Sequence, residues 1–128
     1  MYFIDGKMST VVSLVVGTGG IAKGDLCVIT TNTVVKAAAT ATAATVIGIA
    51  TAAAADTAMG SIELCGDRII RAPYAGTASN LATNKIFDLT DETTVNIDDV
   101  AGGSCFCVGY STANTTLDFI VPAAQRVI

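Results

Sequence analysis

Gly17-Thr18-Gly19-Gly20-Ile21-Ala22 has the spacing Gly-x-Gly-x-x-Ala, one form of a dinucleotide fingerprint, and it follows a β-branched run. In that motif a helix begins at the glycines and points its N-terminal amides at a pyrophosphate. Here Lys23-Gly24-Asp25 follows at once and opens a second apolar run, Leu26-Cys27-Val28-Ile29, so a helix is not expected. No acidic residue stands about twenty positions on to hold a ribose, since residues 37–45 carry none. Lys23 precedes Gly24 and lacks the following Ser or Thr of a nucleotide-binding P-loop. The glycines read as a backbone device, a loop and a tight turn opening onto a strand. No cofactor-binding residue is assigned.

Four cysteines could serve as metal ligands. Cys105 and Cys107 would share one face of a strand, but Cys27 and Cys65 have no close partner, and Cys-x-Cys is not knuckle spacing. Buried, reduced thiols are the expectation, and no metal ligand is assigned. Asp88, Asp91, Glu92, Asp98 and Asp99 make the second half acidic without the alternating Asp/Asn pattern of a calcium loop. They read as solvated turns or a face for a basic partner. The chain has no histidine, which removes the commonest general base and the Ser-His and Cys-His nucleophile pairs. With no Trp and three Tyr, the aromatic platforms usual for paired-carboxylate hydrolysis are also missing. No catalytic residue is assigned, and an enzyme is not expected.

The elements that would carry these residues are short strands. Runs rich in β-branched residues at 9–16, 26–30, 34–36, 46–50, 61–65, 68–72, 85–89, 94–97, 105–111 and 115–121 are separated by Gly, Asn, Asp and Thr. The run at 68–72 is expected to end before Pro73, and the last is stopped by Pro122. Residues 37–45 are an Ala/Thr tract without a large apolar stripe, so a loop or a marginal turn of helix is expected there. Residues 52–60 and 75–84 are connections with room for a helical turn, and residues 98–104 form a polar loop. Residues 1–10 read as a short strand or an N-terminal arm lying on a neighbour.

The two halves share a grammar at an offset near sixty. Lys23-Gly24-Asp25 is echoed by Thr83-Asn84-Lys85, and Val34-Val35-Lys36 by Val95-Asn96-Ile97. Ile47-Gly48-Ile49 is echoed by Val108-Gly109-Tyr110, and Ile62-Glu63-Leu64 by Leu117-Asp118-Phe119. The fold class this implies is all-β with one or two short helical turns, a small barrel or sandwich with two loosely similar halves.

A chain of 128 residues forms one domain, 1–128, large enough for a real core. Its hydrophobic fraction of 52% is heavy in Ala, aromatics are 5%, and only 14% of residues are charged. The net charge of −4, with no basic cluster, argues against nucleic acid as a partner. Nineteen uncharged residues separate Lys36 from Asp56, but most are Ala and Thr and would gain little from a bilayer, so no membrane span is expected. No secretory signal is read at the N-terminus, where Asp5, Gly6 and Lys7 interrupt any apolar run. A surface so poor in charge, covered by Ala, Thr, Ser and Gly, suits burial against other subunits.

Together these features resemble the capsid decoration, or cement, proteins of tailed bacteriophages. The residues that carry the resemblance are Val15-Val16 running into the glycine loop, Lys23-Gly24-Asp25-Leu26-Cys27-Val28, and Val46-Ile47-Gly48-Ile49-Ala50. In the second half they are Asn84-Lys85-Ile86-Phe87 and Val108-Gly109-Tyr110. The Ala/Thr tract and the four cysteines depart from that pattern. The resemblance implies a β-rich structural virion protein on the outer surface of the head, made in the host cytoplasm. It implies the major capsid protein as partner, self-association as a homotrimer, and stabilisation by bridging capsomers. Two other classes stand beside it: a surface or fibre adhesion module, and a small ligand-binding β-barrel.

Overall fold

The computed structural model describes residues 1–8, 10–100 and 103–122. The expected strand start at Ser9, part of the loop at 98–104 and the end of the domain beyond Pro122 lie outside the described residues. The architecture is all-β. Its strands are β1 (Tyr2–Phe3), β2 (Val11–Val15), β3 (Leu26–Thr30), β4 (Thr33–Lys36), β5 (Val46–Ala50), β6 (Met59–Leu64), β7 (Ile70–Ala75), β8 (Ile86–Leu89), β9 (Val95–Asn96), β10 (Cys105–Ser111) and β11 (Thr116–Ile120). One 3₁₀ turn, Ala78–Asn80, sits in the connection where a helical turn had room to form.

The strands form two sheets with the same plan. The N-terminal sheet runs β2-β6-β5-β3-β4, and the C-terminal sheet runs β7-β11-β10-β8-β9, with β1 added outside β7. Parallel pairing of Tyr74 and Ala75 with Val95 and Asn96 closes the C-terminal sheet into a five-stranded barrel. In the N-terminal sheet the matching contact is a single parallel bridge, Val16 to Val34, supported by Gly17 N–H donating to Val34 C=O at 2.8 Å. The expected likeness of the halves is therefore one of topology, strand for strand.

The pairings also fix which residues correspond. Gly24 and Asn84 both have positive φ, +90° and +64°, and donate to the carbonyls of Ala50 and Cys107. Following the ladders from there matches Cys27 with Phe87, Val34 with Val95, Ile62 with Phe119, Val12 with Ile70 and Val16 with Tyr74. Gly48 lies opposite Cys27, as Cys105 lies opposite Phe87. The expected match of Gly48 with Gly109 is thus corrected. Gly109 lies further along β10, opposite Asp118 and beyond a register shift in the β10–β11 ladder. Likewise Ile62 answers to Phe119 rather than to Leu117.

Matched positions fill the interiors, with different volumes. Val16, Ile21, Cys27, Val34, Ala50 and Ile62 pack inside the N-terminal sheet. Tyr74, Phe87, Val95, Cys107 and Phe119 fill the barrel as part of the larger cluster. The scarce aromatic side chains are therefore concentrated where the barrel closes fully, and smaller residues suffice in its counterpart. Leu26, Val28, Val46 and Ile49 belong to the larger cluster, so the outer face of β3 and β5 joins the two sheets into one domain.

One further expectation is corrected. Strand β7 does not stop before Pro73 but runs through it to Ala75. Pro73 pairs with Thr116 and is exposed, at a position whose missing N–H faces away from β11. Of the two readings of the N-terminal segment, a short strand or an arm, the short strand is observed as β1. Tyr2 and Phe3 pair with Arg71 and Ile70, the Met1 ammonium donates to Gly24 C=O at 3.0 Å, and Asp5 accepts from Ile69 N–H at 2.9 Å. Among the described residues, no helix is long and apolar enough to cross a membrane.

Candidate functional site

The glycine corner spends its donors on its own fold. Gly17 donates to Val34, Gly20 to Gly17, Ile21 to Ala54 and Gly24 to Ala50. Ala22 N–H donates to the buried Asp25 carboxylate at 2.8 Å, and Asp25 N–H returns to Ala22 C=O at 3.1 Å. A phosphate cradle needs converging free amides at a helix start; here the chain enters β3. Gly20, at φ +69°, lies against Ala54 C=O, where a Cβ would come within 3.0 Å. A cleft of about 470 Å³ opens beside the loop, lined by Gly19, Gly20, Ile21, Ala54, Lys36 and Glu92. Of its three charged residues, Asp25 accepts from Ala22 N–H, and Lys36 Nζ reaches Glu92 at 3.3 Å; the Glu92 C=O accepts from Leu26 N–H at 2.8 Å. The corner clamps the two sheets together.

The acidic residues of the second half hold turns. Asp91 accepts from Thr93 N–H and hydroxyl, both at 2.8 Å; burial works to raise its pKa, but these bonds and those from Thr94 hold it below the ordinary carboxylate value. Asp98 accepts from Thr77 N–H at 2.7 Å and Asn80 Nδ2 at 2.8 Å, which lowers its pKa too. Asp88 is buried, and desolvation raises its pKa despite a bond from Leu89 N–H, with the nearby Asp99 charge adding to the rise. Asp91 and Glu92 line a second cleft, of about 420 Å³, together with Lys36.

The four cysteines are free and buried. Cys27 belongs to the smaller core, whereas Cys65, Cys105 and Cys107 belong to the larger one. Burial, reinforced by the charge of Asp25, pushes the Cys27 thiol up to about 12; burial does the same for Cys105. Such thiols are poor nucleophiles and poor ligands at neutral pH. They behave as small core residues.

Sequence reasoning missed the roles of Arg68 and Arg71. Arg68 is buried and reaches Asp5 at 3.1 Å and Glu63 at 2.6 Å, with its guanidinium 4.0 Å over the Phe3 ring. Burial opposes its charge, but the bonds to Glu63 and Asp5 outweigh that and raise its pKa. Arg71 forms a fork with Asp118 on the outside of the barrel. The available signal was Asp5, an isolated acid in an apolar segment, but its partner lies more than sixty positions away.

Part of the open surface is apolar. Val11, Val15, Met59, Val108 and Tyr110 are exposed, at 53%, 42%, 60%, 40% and 46%. No family model matches this sequence, and no curated protein matches it significantly.

Proposed function

We propose that this chain is a structural virion protein that binds the outer surface of an icosahedral phage head and stabilises it by bridging capsomers. Its partner is the major capsid protein, and it works there as a homotrimer without catalysis. The observation that carries the reading is the pair of strand-opening corners at Gly24 and Asn84, set in two sheets of one plan. These corners are the residues on which the resemblance to decoration proteins rests, and the fold uses both in the same way. Arg68, Arg71 and the Lys36–Glu92 pair beside the corner are engaged within the chain, and part of the outer surface is apolar and suited to lie against another protein. The test is to incubate the protein with undecorated heads. Saturable binding with a gain in head stability is expected; no binding, or binding without any gain, overturns the proposal.

A further inference from the structure

The matched sheets differ at one edge. Strand β2 ends its sheet and meets β4 only at Val16. Thr10 C=O accepts from Leu64 N–H, and Val16 N–H donates to Ala58 C=O, each at 2.8 Å. The alternation of an antiparallel ladder therefore turns the N–H and C=O of Val12 and Leu14 towards β6, and those of Val11 and Ser13 outwards. Among the described residues no strand pairs with that side of β2. On β7 the corresponding edge is covered. Tyr2 and Phe3 pair with Arg71 and Ile70, Ile4 N–H donates to Ile69 C=O at 3.1 Å, Pro73 offers no N–H, and Tyr74 and Ala75 pair with β9.

Edge strands are ordinarily guarded by lysine, proline or a bulge. Strand β2 has none of these, since no charged residue stands between Lys7 and Lys23, and its ladder to β6 is regular. We propose that the outer edge of β2 pairs antiparallel with β2 of a second copy of this chain, with Ser13 near the two-fold axis. The occupant follows from complementarity. An antiparallel edge is its own partner under two-fold symmetry. Two other edges are open among the described residues: β4, bridged only at Val34 and ending on Lys36, and the far side of β1, a strand of two residues. Val11, Ser13 and Val15 are exposed and uncharged, so two copies approach without like charges facing each other. The pairing is independent of head binding and adds a two-fold contact to any three-fold one.

Sedimentation equilibrium of the intact chain, with Ser13→Lys and Ser13→Cys, tests it. Wild type is expected as an even-numbered assembly, and Ser13→Lys should weaken the two-fold contact about tenfold or more while melting as wild type does. Oxidised Ser13→Cys should give a covalent dimer, its own thiol being exposed while the four native ones are buried. A monomer at sub-millimolar concentration overturns the pairing. So does an assembly of any size, a trimer included, that Ser13→Lys leaves unchanged and that gives no Ser13→Cys dimer. Failure to bind heads would leave all these readouts unaltered.

Discussion

Arg71 and Asp118 are opposed across β7 and β11, and their side chains close a fork, Nε to Oδ1 at 2.7 Å and Nη2 to Oδ2 at 2.9 Å. The matching pair in the N-terminal sheet is Ser13 and Ser61. One backbone arrangement thus accepts either a charged fork or two hydroxyls. The bonds to Asp118 raise the Arg71 pKa, with Tyr2 a further partner that ties the fork to β1. Arg71→Ser and Asp118→Ser should each destabilise the protein, because each leaves a charge without its partner. The double variant should be more stable than the sum of the two losses, since it recreates the pair used in the other sheet. Denaturant unfolding of the four proteins checks this; strict additivity would mean that the fork contributes nothing as a pair.

Gly48 and Gly109 look interchangeable in sequence and are not so in the fold. A Cβ at Gly48 would run into the Glu63 carbonyl and meet Leu64 Cα at 3.0 Å, all of it backbone. At Gly109 the nearest such contact is the Asp118 carboxylate at 3.8 Å. Gly48→Ala should cost about 1–3 kcal/mol, as overpacking does. Gly109→Ala should stay within ~0.5 kcal/mol of wild type. Thermal unfolding of the two variants distinguishes them, and equal effects would contradict the register.

These positions also mark what was legible in the chain. The corners at Gly24 and Asn84 could be read because left-handed backbone restricts the residue type. The strands at 26–30, 46–50 and 105–111 were readable in full because apolar runs of β-branched and aromatic residues ended at turn residues on both sides. Register was not readable. Two apolar-Gly-apolar stretches offer equivalent alignments, and only the ladder says that Gly48 answers to Cys105. Pro73 misled for a related reason: proline is excluded where its N–H would be bonded, and the side of the strand it faces is a tertiary fact. The docking of residues 1–5 depends on Asp5 meeting Arg68, a contact without local signal. As for chemistry, the absence of histidine and of a helix after the glycines was visible from the start, and no catalytic set was assigned.

Acid should loosen the N-terminal segment. Burial pulls the Asp5 pKa upwards, but the amides of Ile69 and Lys7 and the Arg68 guanidinium hold it below the ordinary 3.8. A depressed folded-state value means that the contribution of Asp5 is complete above pH 3.8 and is lost as pH falls through the depressed value. Asp5→Asn should therefore be less stable than wild type at neutral pH, with the gap closing below pH 3.8. Hydrogen exchange at the Ile4 and Ile69 amides should speed up in the variant. Asp88 has the opposite sign. Its pKa is raised by desolvation, so its ionised form opposes folding at neutral pH and relief comes as pH falls. Asp88→Asn should raise neutral-pH stability and remove that relief, and chemical unfolding at several pH values reads both slopes.

The thiols give the last test, because burial and reactivity are linked through the thiolate. With its value pushed from 9.0 to about 12, Cys27 carries about a thousandfold less thiolate at a given pH than an unperturbed cysteine. Cys105 is shifted to the same extent, and desolvation raises Cys107 as well. A thiol-specific disulfide reagent at pH 8 should therefore leave native protein almost unlabelled for as long as it stays folded, and label all four cysteines in denaturant. Labelling that proceeds in the native state should follow the rate of opening and not the reagent concentration. A chelator should leave the melting temperature unchanged, since the sulfurs stabilise the fold by filling space in two separate cores. Rapid labelling of any one cysteine in the folded protein would place that sulfur at the surface, and chelator-induced melting would restore the metal reading that the two cores argue against.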